Sequence, residues 1–200
     1  MITDSLLQSY IDQLNDLSAI VHESNARVLN VPPDALFNEY LNVFVKAYLV
    51  SACSILEAFV GDGAFSCLSS FKERVSAARI PHNLIEWEVI VDEKKKKDIS
   101  GYFVIKKDRK AINENVSGNY YKTKEIFRKL GINLDSDETF KSFADSISAT
   151  INKRNSIVHH NDDASDISLP DVLEKIIEFK AYISCIQRVV NESESASAAT

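Results

Sequence analysis

The sequence predicts an all-α protein, and three observations carry that prediction. Five glycines and four prolines in 200 residues are under half of the roughly 12% that these two residues ordinarily supply, too few for the tight turns of a sandwich or barrel. Apolar residues make up 45% and charged residues 26%, a globular balance that excludes wholesale disorder and a disulfide-stapled miniprotein. Long stretches also place their apolar residues at helical spacing. A chain of 200 residues buries roughly 70% of the surface it exposes when unfolded, enough for a sizeable core. The expectation is one domain over residues 1–190, a bundle of about five to six helices with a basic insert at about 94–130, followed by a disordered tail over 191–200.

Apolar positions recur at Leu7, Tyr10, Leu14, Leu17, Val21 and Val28 before Pro32 and Pro33, which gives the first helix. Asp34 can cap the next one. Phe37 to Val60 is so rich in Leu, Val, Phe, Ala and Ile that it reads as a central helix covered on most sides. Gly61 and Gly63 are expected to end it, and a shorter amphipathic piece runs from Ala64 to about Ala78 before Pro81. From Glu86 to Lys110 the pattern is mixed. Trp87, Val89 and Val91 alternate as in a strand, whereas Lys94 to Lys97 and Gly101 resemble an exposed turn, so a small hairpin and an irregular basic loop both fit. Asn113 to Asn119 is polar and loop-like, and Tyr120 to Leu130 forms a short basic helix closed by Gly131.

Asp135 and Glu138 have capping-box spacing, and Phe140, Phe143, Ile147, Ile151 and Val158 continue as a helical stripe. Ser168, Pro170 and Asp171 start the last helix, whose inward positions are Val172, Ile176, Phe179, Ile183, Ile186 and Val190.

The three cysteines, Cys53, Cys67 and Cys185, are an odd number in apolar surroundings without a Cys-x-x-Cys pair, which argues for reduced thiols, against zinc, and for the cytoplasm. No basic and apolar leader opens the chain, and no run reaches about 18 uninterrupted apolar residues, so neither secretion nor a membrane span is expected. The net charge of −6 conceals an asymmetry: Lys94 to Leu130 holds twelve basic and four acidic residues, a basic segment on an acidic body. Lys94, Lys95, Lys96, Lys97, Lys106 and Lys107 are candidate contacts to an RNA backbone, although such a run is equally a solvated loop. Tyr102, Phe103, Tyr120 and Tyr121 lie among these charges, where they can stack bases or serve the core.

The segment richest in chemistry runs from Ile151 to Asp163. On a helix with Ile151 at zero, Arg154 falls at about 300°, between Phe143 at about 280° and Ile147 at about 320°. A guanidinium on an apolar stripe cannot escape by deprotonation and needs an anion, either a protein carboxylate or a ligand phosphate. Asn155 and His159 share an i, i+4 edge beside it. His159 near a helix C-terminus also serves as a dipole cap, and His160 is a neighbour or an accessory. Asp162 and Asp163 after the two histidines resemble a metal site but read better as a polar loop. No metal or other cofactor is expected.

An Arg, a polar Asn, three more residues and a His near the end of a late helix in an all-α chain resemble the HEPN superfamily of helical ribonucleases and RNA-binding domains. Tyr48 to Phe59, with the embedded Glu57, resembles the corresponding helix of the RiboL-PSP branch. The resemblance implies a HEPN-like bundle, a metal-independent endoribonuclease, and a homodimer whose composite site takes one Arg and one His from each protomer. It implies that Arg154 neutralises the scissile phosphate, that His159 exchanges protons with the 2′-hydroxyl or the leaving oxygen, and that Asn155 orients the site. Glu57 then supports Arg154, or is merely solvated. The setting implied is a toxin-like effector in bacterial antiviral defence or stress response, held in check by a regulatory partner protein. HEPN toxins associated with nucleotidyltransferases carry Tyr two residues after the His; here that position is Asn161, which disfavours control through that Tyr. The alternative is a non-catalytic helical module that binds RNA, a nucleotide or a protein.

Overall fold

The computed structural model describes residues 1–89, 100–160 and 163–198, with side chains through Ser195. Among the described residues there are nine α-helices and no strand. They are α1 (Asp4–Leu29), α2 (Ala35–Glu39), α3 (Leu41–Ala78), α4 (His82–Val89), α5 (Arg109–Asn113), α6 (Tyr120–Lys129), α7 (Glu138–Ser142), α8 (Ala144–His160) and α9 (Leu169–Ala198). The all-α fold fits the HEPN-like helical bundle that the sequence resemblance implies.

Helices α1, α3 and α9 pack on one another, and α8 crosses to α3 and α6. The core joins Leu14 and Val21 of α1 to Leu49, Leu56 and Phe59 of α3 and to Ile176, Phe179 and Ile183 of α9, each 1% exposed or less. The inward residues of α1 and α9 are largely those whose spacing predicts them.

The long α3 departs from expectation. Gly61 and Gly63 do not end it; the helix continues through both and finishes at Ala78, where Arg79 takes a left-handed conformation at φ 49°. The glycines serve packing instead. A Cβ on Gly63 would stand 2.9 Å from Cδ1 of the fully buried Ile2, so the missing side chain lets the N-terminal segment lie against α3. By length and composition α3 could also cross a membrane, with a mean hydropathy of 1.8 over its most apolar window. Here it is the central helix of the bundle, packed by α1, α5, α6, α8 and α9.

Asp34 caps α2 through Leu36 and Phe37 N–H, as read from the sequence. Of the segment from Glu86 to Lys110, Trp87 and Val89 belong to α4 and are exposed, so their alternation is not that of a strand. Residues 90–99, with Val91 and Lys94 to Lys97, lie outside the described residues. Asp137 rather than Asp135 caps α7, accepting from Phe140 N–H at 2.9 Å, and the helix is interrupted at Phe143 before α8 begins. The expected tail is helical as far as Ala198. Asn191 anchors it: its Oδ1 accepts from Ile2 N–H at 3.1 Å and its Nδ2 donates to Ile2 C=O at 3.0 Å.

Candidate active site

The inward positions of α8 are Ile147, Thr150, Ile151 and Ile157. At 100° per residue these span about 240° to 0°, and their centre coincides with Arg154 at about 300°. Val158, expected on this stripe, is 51% exposed, and Ile157 takes the inward place in the last turn. Arg154 is consequently drawn into the bundle, with its side chain 18% exposed. Its anion comes from α3: Nη2 donates to Glu57 Oε2 at 2.5 Å. Glu57 therefore holds Arg154 rather than standing free in solvent. Arg154 Nη1 donates to Asn155 Oδ1 at 3.2 Å.

One further neighbour is Cys53, one turn before Glu57 on α3. Burial pushes its thiol up to about 12, while the adjacent Arg154 pulls it down. The sulfur stays protonated at neutral pH, so Glu57 is the anion that neutralises the guanidinium. Two of the five guanidinium N–H groups are engaged by Glu57 and Asn155, and Nε is buried without a hydrogen-bond partner among the described residues.

The turn before α6 closes over this pair. A Cβ on Gly118 would meet Ile151 Cδ1 at 3.0 Å and Glu57 Cβ at 3.8 Å, so the missing side chain lets the backbone pass close to both helices without displacing Ile151.

His159 and His160 sit in the last turn of α8 and are exposed. Among the described residues neither makes a hydrogen bond or an ion pair. Five residues place His159 about 140° around the helix from Arg154 and about 7.5 Å along it. The structure thus joins Arg154, Asn155 and Glu57, and leaves both imidazoles facing outward in the single chain.

Lys106 and Lys107 are exposed in the irregular stretch before α5. The Lys107 carbonyl accepts from Lys72 Nζ at 3.0 Å, and Lys72 lies about 22 Å along α3 from Glu57. These two lysines are therefore not brought to Arg154. Tyr120 is buried, its ring stacked on Phe140 at 4.8 Å, and serves the core, whereas Tyr121 and Tyr102 are exposed. Among the described residues no group of three His, Cys, Asp or Glu side chains could hold a metal ion; Asp162 is outside them, and Asp163 accepts from Ser165 N–H in a loop.

A charged cluster next to the pair was not singled out from the sequence. Asp62 accepts from Tyr10 Oη at 2.5 Å and pairs with Arg109 Nη2 at 2.5 Å. The signal was present: a carboxylate at Asp62, inside an apolar helical run, needs a cation as much as Arg154 needs an anion.

A profile of the RiboL-PSP-HEPN family matches residues 5–192. The chain belongs to this family. No curated protein and no solved structure matches it. HEPN domains are often ribonucleases, and membership supports an RNA-related, ribonuclease-type role. The matched RiboL-PSP-HEPN region runs from the start of α1 into α9 and includes both Glu57 and Arg154.

Proposed function

We propose that this RiboL-PSP-HEPN protein is a metal-independent endoribonuclease acting as a cytoplasmic, toxin-like effector in bacterial antiviral defence or stress response. The observation that carries the reading is the Arg154 guanidinium, oriented by Glu57 and Asn155 and with N–H donors to spare. Such a group is pre-set to receive a phosphate. A general base, His159, takes the proton of the RNA 2′-hydroxyl. The 2′-oxygen attacks phosphorus, the P–O5′ bond breaks, and the departing 5′-oxygen receives a proton from a second acid. Arg154 stabilises the charge gathering on the phosphoryl oxygens. The products are a 2′,3′-cyclic phosphate and a 5′-hydroxyl.

One chain does not complete this arrangement, because His159 lies around α8 from its own Arg154. A homodimer pairing two α8 helices supplies two of each group to one groove. Val158, beside His159, is an exposed apolar residue and supports a protein-covered face there. A regulatory partner restrains the activity in the host.

A second reading is favoured by the fact that Glu57 already neutralises Arg154: a non-catalytic helical module that binds RNA, a nucleotide or a protein. Substitution separates the two. His159→Ala leaves the fold intact and lowers cleavage by about 10²- to 10⁴-fold; Arg154→Lys keeps a charge but loses the planar fork and is similarly impaired. RNA is cut in the presence of EDTA, and DNA of the same sequence, which lacks the nucleophile, is not. Cleavage that survives both substitutions, or EDTA-resistant cutting of DNA, overturns the mechanism.

A further inference from the structure

Glu57 has a second neighbourhood that the reaction above does not use. One oxygen, Oε2, is taken by Arg154, and the side chain also lines a cleft of about 330 Å³ between α3 and α5. Its α3 wall carries Ser54, Glu57 and Gly61, and its other wall carries Arg109, Asn113 and Val116. This volume is near the lower end of the about 300–1,000 Å³ of small-molecule pockets, suited to one nucleoside.

Bonds already made leave Asn113 and Ser54 with one kind of free valence each, and Arg109 keeps N–H donors at the edge of the cleft. Arg109 Nε can only donate, and it stands 3.0 Å from Asn113 Oδ1, so the Asn113 NH₂ is left as a donor. Arg109 itself is held by Asp62 at 2.5 Å and lies over the Phe65 ring at 5.2 Å from its centroid. Ser54 gives its hydroxyl proton to Val50 C=O at 2.8 Å, so its free valence in the cleft is an acceptor. Glu57 Oε1 is a second acceptor. The remaining surface is the bare backbone of Gly61 and the methyl groups of Val116, 3.7 Å from a Cβ built on Gly61.

Two acceptors on α3, facing donors from Asn113 and Arg109 over an apolar floor of Gly61 and Val116, match the Watson–Crick edge of guanine. Its N1–H and N2–H₂ are adjacent donors and its O6 is an acceptor, a combination that no other RNA base presents. We propose that the Ser54, Glu57 and Asn113 cleft holds an unpaired guanine of the RNA next to the scissile phosphate, so that Glu57 links base selection to the placement of Arg154. This rests on the nuclease reading for its place in a reaction, but binding tests it separately.

The test uses the full chain titrated with 5′-GMP, AMP, CMP and UMP by calorimetry, together with cleavage-site mapping on an RNA of random sequence. The expected result is GMP bound at least about tenfold more tightly than the other three, and cuts concentrated beside guanine. Asn113→Ala and Gly61→Leu, the second of which fills the cleft, each abolish most of that preference while circular dichroism reports an unchanged fold. Asn113→Ala also raises KM for guanine-containing substrates more than it lowers kcat. Equal binding of the four nucleotides, or a GMP preference untouched by both variants, overturns the proposal. Selective GMP binding without RNA cleavage leaves the guanine site standing and removes the nuclease. Cleavage without guanine preference does the reverse.

Discussion

Glu57 and Arg154 are 97 positions apart in the chain, yet their side chains meet at 2.5 Å. The arginine is 18% exposed and the glutamate 37%, and the asymmetry decides what each loss does. Glu57→Ala strands a cation that cannot shed its proton, at an expected cost of about 1–3 kcal/mol, less than for a fully buried pair because water partly screens it. Arg154→Ala leaves a carboxylate that water can reach, at about 1 kcal/mol or less. Urea denaturation of both single variants and the double measures this. The double variant is expected to be more stable than Glu57→Ala, and the reverse order would show that Arg154 does not depend on Glu57.

Two glycines near this pair respond to alanine with opposite sign. At Gly61 an added Cβ makes ordinary contacts of 3.7 Å and beyond, and relief of glycine in a helix interior stabilises by about 0.5–1 kcal/mol. At Gly118 the added atom lies 3.0 Å from Ile151 Cδ1, on a side chain packed in the core, and the crowding costs about 1 kcal/mol or more. The melting temperature should rise for Gly61→Ala and fall for Gly118→Ala. A fall for both would mean that the cleft beside Gly61 has no room.

What was legible in the sequence follows from periodicity. The buried faces of α1 and α9 and the inward turn of Arg154 are consequences of 3.6-residue spacing, which needs no tertiary knowledge. The ends of elements were less legible because they depend on neighbours. Gly61 and Gly63 resemble a helix stop by composition, but Ile2, some sixty residues earlier in the chain, is what occupies the space at Gly63. Residues 191–198 look disordered because they are small and polar, yet Asn191 is held by the Ile2 backbone. In the candidate site, Arg154 advertised its need for an anion, and Glu57 met it. Arg109 was hidden within a run of basic residues, and its partner Asp62 was the more visible half.

Asn191 provides a direct measure of that terminal anchor. Its side-chain amide both accepts from and donates to the Ile2 backbone. Asn191→Ala removes both bonds and leaves the Ile2 N–H unpaired, while Ile2 C=O keeps Gln187 Nε2 at 3.3 Å, at an expected cost of about 1–2 kcal/mol. Asn191→Asp keeps the acceptor but turns the donor into a second acceptor against Ile2 C=O, and is expected to cost at least as much. Truncation after Val190 is destabilising in the same way. An unchanged denaturation midpoint for all three would return residues 191–198 to the status of a dispensable tail.

Alkaline pH tests the burial of the thiols. Cys53 and Cys67 are pushed up to about 12 and Cys185 to about 11, in each case mainly by burial. In the unfolded chain the same thiols titrate near 9.0. Between these values the unfolded state has lost protons that the folded state retains, so stability falls as pH rises. The contribution is complete below about pH 9 and is lost as the pH climbs through about 11 to 12. Tyr120, pushed up to about 12 from 10.0, adds a loss of the same sign above pH 10. The urea midpoint should therefore decline above about pH 9, and Cys67→Ala should make that decline shallower. A wild-type midpoint that held steady up to pH 11 would mean that the thiols ionise as readily in the folded protein as in the unfolded chain, and the packing of α3 against its neighbours would need to be redrawn.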